Sequence, residues 1–510
     1  MHFCLRLSDE GTYDNMNRHL PEEQLRKGFG MRTAERRIRV QEVVFLCTAL
    51  LFTGFFFGEL DLKGKDWPLL YRLRDTAAFI AMITAAPFAS RLLAGKRAQA
   101  FLSGNELRNL LLLLAMAVIP RILWQLAVPA RIDSDYGLYV RMGAYYAENG
   151  KPFIDNYMLT VAPNAVTWSV FTGLLMRLFG TSGMTLVVFT GILHICNILL
   201  LYRIGRKLTN AARAFAAAAV FALLPENIFY SHTPGIEAPA LFAALLGLEL
   251  ILEARDRKPA VCLLLCFSGG AALAFSAMIR ANAYAVLIAA EIFILRQKGA
   301  ERPAVRKILL FTAVIIGAGA VLLAGRGLKN SLFTGQKPAG GMGWPIYEGL
   351  DLENGGKWTP EKSERCVEVT DQYPPEEADA IFRREGLERF SKYTFGQKIR
   401  LFLRKGGAMY YETRYSLFAL EGTEKELRLN RLAHYAWALC MAAFIAGLFF
   451  SGSRPPAGER RAAAGLPVTV ILLTTAWHLI GTSIGRYHYM VIPFILLAAA
   501  IMLPGRSETE

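Results

Sequence analysis

The sequence predicts an all-α polytopic membrane protein, and three observations predict it. Of 510 residues, 54% are hydrophobic and only 19% charged, too few charges to clothe a water-soluble surface of that size. The apolar residues gather in runs near the ~20 residues a helix needs to cross a hydrocarbon core of ~30 Å. The basic residues, which bring the formal charge to +15, stand in short clusters between those runs. That placement argues for membrane topology and against a nucleic-acid partner.

About twelve transmembrane helices are expected, near residues 41–60, 76–94, 110–128, 184–201, 214–230, 234–252, 260–278, 283–295, 308–323, 434–450, 466–482 and 489–503. Two extra N-terminal helices within 41–94 thus precede a core over 110–323, and 434–503 holds the C-terminal helices. Polar segments 1–40 and 504–510 flank the whole. Basic clusters recur at alternate loops: Arg203, Arg206, Lys207 and Arg213; Arg255, Arg257 and Lys258; Arg296, Lys298, Arg302, Arg306 and Lys307; Arg454, Arg460 and Arg461. The intervening short loops carry only Arg280 and Arg486. Lys and Arg remain on the cytoplasmic side, so both termini are expected in the cytoplasm of a bacterial plasma membrane.

The apolar stretch 161–179 would reverse every later cluster if it crossed. It is therefore expected as an interfacial amphipathic helix, with Trp168, Phe171, Leu175 and Leu178 roughly on one face. Two regions then face outward, a first external loop at 129–183 and a larger external loop domain at 324–431. Five of the seven cysteines lie in apolar runs, and no disulfide framework or metal-ligand spacing is visible.

The first external region opens with RIDSDYGLYV directly after a span. Two readings of Asp133 and Asp135 are open. Asp133 or Ser134 caps the following helix, with Asp135 in its first turn, or one aspartate serves as the base that deprotonates an acceptor hydroxyl. The loop ENIFYSHTPGIEA offers Glu226, His232 and Glu237, either reaching headgroups or lining a pathway. The last outward turn, SIGRYHYMVIP, holds Arg486, Tyr487 and His488. Arg486 and Arg280 present planar forks suited to phosphate oxygens, or snorkel to ordinary headgroups. Arg121, beside Pro120 inside a span, is expected to point into the bundle.

In the larger region, Trp344, Tyr347 and Trp358 either fill a small core or form a sugar-stacking platform. The stretch GQKIRLFLRKGGAMYYE reads as a basic interfacial helix with Lys398, Arg400, Arg404 and Lys405 near headgroups. A divalent cation held with the aspartates is possible, but spacing alone selects no ligands, so the metal set is unknown and no cofactor is certain.

An aspartate pair directly after an early span, a long first external loop whose helix closes with LFG, and a late span opening with RYHY and Pro493 resemble the GT-C glycosyltransferases. The nearest groups are bacterial relatives of the protein O-mannosyltransferases and of the aminoarabinose transferase of lipid A. The resemblance runs over about 110–503, and 341–358 is similar to the Gly-rich external loop of Gram-positive members. It implies a GT-C fold, a polyprenyl-phosphate sugar donor within the membrane lipid, and reaction at the outer face, usually with inversion. The acceptor would be a glycan, a lipid or a protein. By that resemblance Asp135 is the general base or its activator, Asp133 its partner and Arg486 a phosphate contact. Tyr136 and Asn164 depart from the family pattern, at an acidic position and at the second of two paired prolines.

The rival functions are a transporter or lipid-linked glycan flippase, and a lipid-linked glycan polymerase or ligase. Transporters of this size usually carry internal repeats with matching broken helices, and no such repeat is visible in this sequence.

Overall fold

The structure, a computed structural model, describes residues 22–62, 69–93, 96–296, 304–332, 340–453 and 458–504, with the side chains of 22–39, 89–98, 256 and 452–461 outside that description. The expected cytoplasmic termini therefore fall largely outside the described residues. So do the topology residues Lys298, Arg302 and Arg454, and the side chains of Arg460 and Arg461. Among the described residues there is no strand.

Every one of the twelve apolar ranges falls on a helix. Among the described residues, seven helices are long and apolar enough to cross a membrane: Val40–Leu62, Glu106–Ala127, Gly183–Leu208, Pro259–Ile279, Ala304–Leu332, Glu424–Ser451 and Ala462–Ile480. Ala211–Leu223 and Ile492–Met502 are shorter apolar helices. Glu237–Glu253 and Tyr284–Arg296 are buried on most sides, as helices in the middle of a bundle must be.

Two expected spans are broken. The range 214–230 divides at Leu224 into Ala211–Leu223 and Pro225–Tyr230. Pro225 has no N–H to give the Phe221 carbonyl, and Asn227 Nδ2 takes its place at 2.7 Å. Arg121 caps the same broken end, donating from Nη1 to the Ala222 carbonyl at 3.1 Å and to its own helix at Ala117 at 2.8 Å. Its positive charge meets the negative end of a helix inside the bundle, where it is buried as expected. The range 489–503 begins as the 3-10 turn Gly485–Met490 before Ile492–Met502.

Helices approach closely wherever glycine lies at the contact. The Pro259–Ile279 and Ala304–Leu332 helices meet at Gly270 and Gly317, where a Cβ would collide with the carbonyl oxygens of Val314 and Phe267. Backbones packed this tightly gain the dispersion that holds helices together where lipid offers no hydrophobic drive. The N-terminal helix Glu22–Leu62 uses the same device on Phe395–Tyr411, through Gly58, Gly406 and Gly407.

That contact corrects the expectation of a basic headgroup helix. Arg400 and Arg404 are taken by Asp61 at 2.8 and 2.6 Å, and Lys405 is wholly buried. The helix thus packs on the N-terminal helix, with Arg404 and Lys405 withdrawn from the surface and Arg400 still exposed. The region 129–183 forms Ser134–Asn149, Asn156–Val161 and Pro163–Phe179, and the larger region 324–431 includes Gly343–Gly349, Pro360–Gln372 and Pro375–Ser391. Trp168 is buried while Leu178 is exposed, so the expected single face of Pro163–Phe179 is divided between core and surface. The two regions share a small core in which Trp344, Cys366, Val369, Ala378 and Phe382 pack against Tyr157 and Val161.

Gly317→Ala should lower the thermal stability of the detergent-solubilised protein by roughly 1–3 kcal/mol through overpacking. Gly319→Ala, where a Cβ meets nothing within 4 Å, should leave it unchanged or slightly raised. Equal melting temperatures for the two variants would refute the close-packed interface.

Candidate active site

The turn that carries the aspartates is strained. Asp133 occupies the N-cap position of Ser134–Asn149, yet its side chain makes no capping bond. Its Oδ2 instead accepts from Arg131 Nε at 2.7 Å, and its Oδ1 is buried with no hydrogen-bond partner among the described residues. Ser134 has φ +50°, a left-handed conformation costing about 1–3 kcal/mol in a residue with a side chain. The capping reading of Asp133 is thereby overturned, while Asp135 does lie in the first helical turn.

Asp135 Oδ2 accepts from Arg486 Nη1 at 2.9 Å, across 351 positions of sequence, and about half of its side chain stays exposed. Arg486 projects from the Gly485–Met490 turn. Gly485 permits this turn because a Cβ there would strike the Glu412 carbonyl. Glu237, in the first turn of Glu237–Glu253, stands behind. Its Oε1 accepts from Arg280 Nη1 at 2.5 Å and lies 3.3 Å from Arg486 Nε. One buried carboxylate oxygen thus gathers two guanidinium groups that would otherwise repel. Arg280 also lies over the Tyr487 ring, 4.8 Å from its centroid, and Tyr487 stacks on His478 at 4.6 Å.

Asp133, Asp135, Arg280, Arg486 and Tyr487 all line one cleft of ≈ 1310 Å³. Glu237 supports two of them from behind. His488 and His232, expected beside substrate, do not line the cleft. His488 is fully buried, stacked on Trp437, with Nδ1 donating to the Met409 carbonyl at 2.6 Å and Nε2 facing Glu226 at 3.0 Å. Its neighbour Tyr487 points the other way because the turn is 3-10, which spreads successive side chains around the axis. His232 is buried, and its Nδ1 has no partner among the described residues. Among the described residues no group of three or more His, Cys, Asp or Glu side chains is gathered to hold a metal ion. The two aspartates do not fit a cation site by themselves.

The larger region, 324–431, adds residues that sequence reasoning missed. Glu348, on Gly343–Gly349, lines the cleft although it is only 3% exposed, and accepts from the Thr482 hydroxyl at 2.5 Å. Lys405 donates to the carbonyls of Gly349 and Gly481 at 2.8 and 2.5 Å, joining the Gly343–Gly349 helix to the turn that leads to Arg486. Burial pushes the Glu348 carboxyl up to about 7 and the Lys405 ammonium down to about 7. Of the aromatics, Trp344 is packed into the shared core with Tyr347 against it, while Trp358 is exposed and lines the cleft.

A raised carboxyl favours the folded state while protonated. Its contribution is full below about 4.5 and is lost as pH rises to about 7. The stability advantage of wild type over Glu348→Gln should therefore shrink between pH 4.5 and 7 in a thermal-denaturation series. A difference independent of pH would contradict this.

Residues 163–323 match the dolichyl-phosphate-mannose-protein mannosyltransferase family. No curated protein resembles the chain in sequence. Among solved structures, an oligosaccharyltransferase of Archaeoglobus fulgidus, in complex with zinc and sulfate, is 15% identical with a TM-score of 0.45, over 77% of this chain and 48% of that one. The ArnT of Cupriavidus metallidurans is 15% identical in its apo state, with a TM-score of 0.30, over 77% of both chains. The same protein bound to undecaprenyl phosphate is 13% identical, with a TM-score of 0.31 and equal coverage. The chain spans about half the length of the archaeal enzyme. The chain is thus a helical protein with apolar helices long enough to cross a membrane, similar over 163–323 to that mannosyltransferase family.

Proposed function

We propose that the protein transfers a sugar from a polyprenyl-phosphate donor to an acceptor hydroxyl at the outer face of a bacterial plasma membrane, with both termini in the cytoplasm. The observation that carries this reading is the Asp135–Arg486 pair at the cleft, with Arg280 beside it and Glu237 behind both. A base and a cationic phosphate cradle are the two groups such a transfer needs, because a phosphate leaving group needs no protonation. The family matched over 163–323 is named for a dolichyl-phosphate donor, and the basic clusters at alternate loops favour the outward placement.

In this mechanism the Asp135 carboxylate takes the acceptor's hydroxyl proton as that oxygen bonds to the anomeric carbon. The bond from that carbon to the phosphate oxygen breaks on the opposite face, inverting the centre. Its electron pair leaves with polyprenyl phosphate, whose added charge Arg486 and Arg280 hold. A phosphate arriving at Arg486 competes with Asp135 for the guanidinium, so donor binding frees the base. Asp133, tied to Arg131, positions the strained turn. No step is assigned to a metal ion.

Asp135→Asn should lower transfer from a panel of polyprenyl-phosphate sugars by roughly 10²–10⁴-fold, the usual worth of a general base, with folding intact. Arg486→Ala should weaken donor binding by roughly tenfold to a hundredfold, the loss expected for a charge-assisted hydrogen bond. Full activity in Asp135→Asn, with substrate flux across vesicles in the absence of donor, would overturn the assignment in favour of transport.

A further inference from the structure

The mechanism leaves two buried carboxylates of the cleft unused, and one of them, Glu426, has its oxygens taken by Arg414 and the Gly422 N–H. Glu348 is 3% exposed, and the cleft is the space its side chain lines. An ionisable group kept from water normally has its hydrogen-bonding capacity filled by protein. Here Thr482 is the only hydrogen-bond donor on the carboxyl among the described residues. Neither nearby lysine donates to the carboxyl itself, although Lys362 Nζ reaches the Glu348 backbone carbonyl at 3.3 Å. Lys405 is spent on the Gly349 and Gly481 carbonyls. Lys362 pairs with Asp351 at 2.9 Å and donates to the Lys357 carbonyl at 3.0 Å. A carboxyl with two oxygens and about four acceptor positions therefore faces the cleft with most of them open.

The surroundings define what would fill them. Tyr487 lies in the same wall, and the partly exposed Trp358 and Trp477 line the same cleft. Flat apolar rings beside a hydrogen-bond acceptor suit a sugar, which has an apolar C–H face and a rim of hydroxyl donors. The Gly481–Tyr487 turn carries both the hydroxyl that orients Glu348 and the guanidinium of Arg486. Phosphate and attached sugar can thus be held by one rigid piece of chain. Burial pushes the Glu348 carboxyl up to about 7 and so leaves much of it uncharged at neutral pH, where an ammonium gains little ion pairing while a hydroxyl keeps its acceptor.

We propose that Glu348 is a specificity-determining residue that accepts hydroxyl hydrogen bonds from the uncharged sugar ring of the donor, discriminating against amino sugars. This rests on the polyprenyl-phosphate reading above and names the substrate class of that same cleft. Glu348 takes no part in bond making. Its effect falls on affinity for the sugar and leaves affinity for the lipid phosphate unchanged.

The test measures binding of three probes to the full-length protein in detergent: bare polyprenyl phosphate, a polyprenyl-phosphate hexose, and a polyprenyl-phosphate amino sugar. Wild type should bind the hexose form about tenfold tighter than the bare lipid, roughly one hydrogen bond's worth, and tighter than the amino-sugar form. Glu348→Gln should lose most of that gain while binding bare polyprenyl phosphate as wild type does. Thr482→Val, which keeps the carboxylate but frees it to rotate, should lose part of the gain, and it decides the question if Glu348→Gln does not fold. Retention of the full hexose gain in either folded variant, or a wild-type preference for the amino sugar, overturns this proposal and leaves the transferase reading standing. Failure of wild type to bind any of the three probes removes both.

Discussion

A single carboxylate oxygen organises the site. Glu237 Oε1 holds Arg280 and touches Arg486, and without it two guanidinium groups would face each other in a partly desolvated pocket at considerable Coulombic cost. With it, one net positive charge remains behind Asp135. The arrangement depends on placement as much as on charge. Glu237 heads a helix, so the positive end of the helix dipole supports its ionised form, and Arg280 ends another helix where the chain turns. These two helix ends, with the Gly485–Met490 turn, bring residues from three distant parts of the sequence to one point.

The rest of the bundle makes such a polar point tolerable. Several buried polar groups of the bundle are paired with one another or with broken helix ends, as Arg121 is with the Ala222 carbonyl and His488 with Glu226. Glycines at the helix contacts let backbones approach closely, and the N-terminal helix uses the same means to clasp the helix that delivers Lys405. In this way the two extra N-terminal helices contribute indirectly to the cleft. They fix Phe395–Tyr411, which through Lys405 ties the helix of Glu348 to the turn of Arg486 and Tyr487.

The site was legible in part. Asp133, Asp135, Arg280 and Arg486 stand out in sequence because each is an ionisable residue where the membrane pattern leaves little reason for one, and the fold brings all four to one cleft. Tyr487 and His488 are adjacent in sequence but face opposite sides of a 3-10 turn, which no local pattern reveals. Arg400, Arg404 and Lys405 look like a headgroup-binding stripe until Asp61 and two backbone carbonyls claim them. Glu348 gave little signal, since a lone Glu in a Gly-rich loop reads as solvated.

The amino-acid sequence by itself determined the solvent, the helical class and the position of the apolar segments. Those follow from local composition and from the requirement that each backbone amide find a partner within its own helix. Tertiary structure alone decided which polar residues face one another. Pairing across hundreds of positions depends on helix ends, close glycine contacts and turn geometry acting together, and a charge in sequence does not carry the direction in which its side chain points.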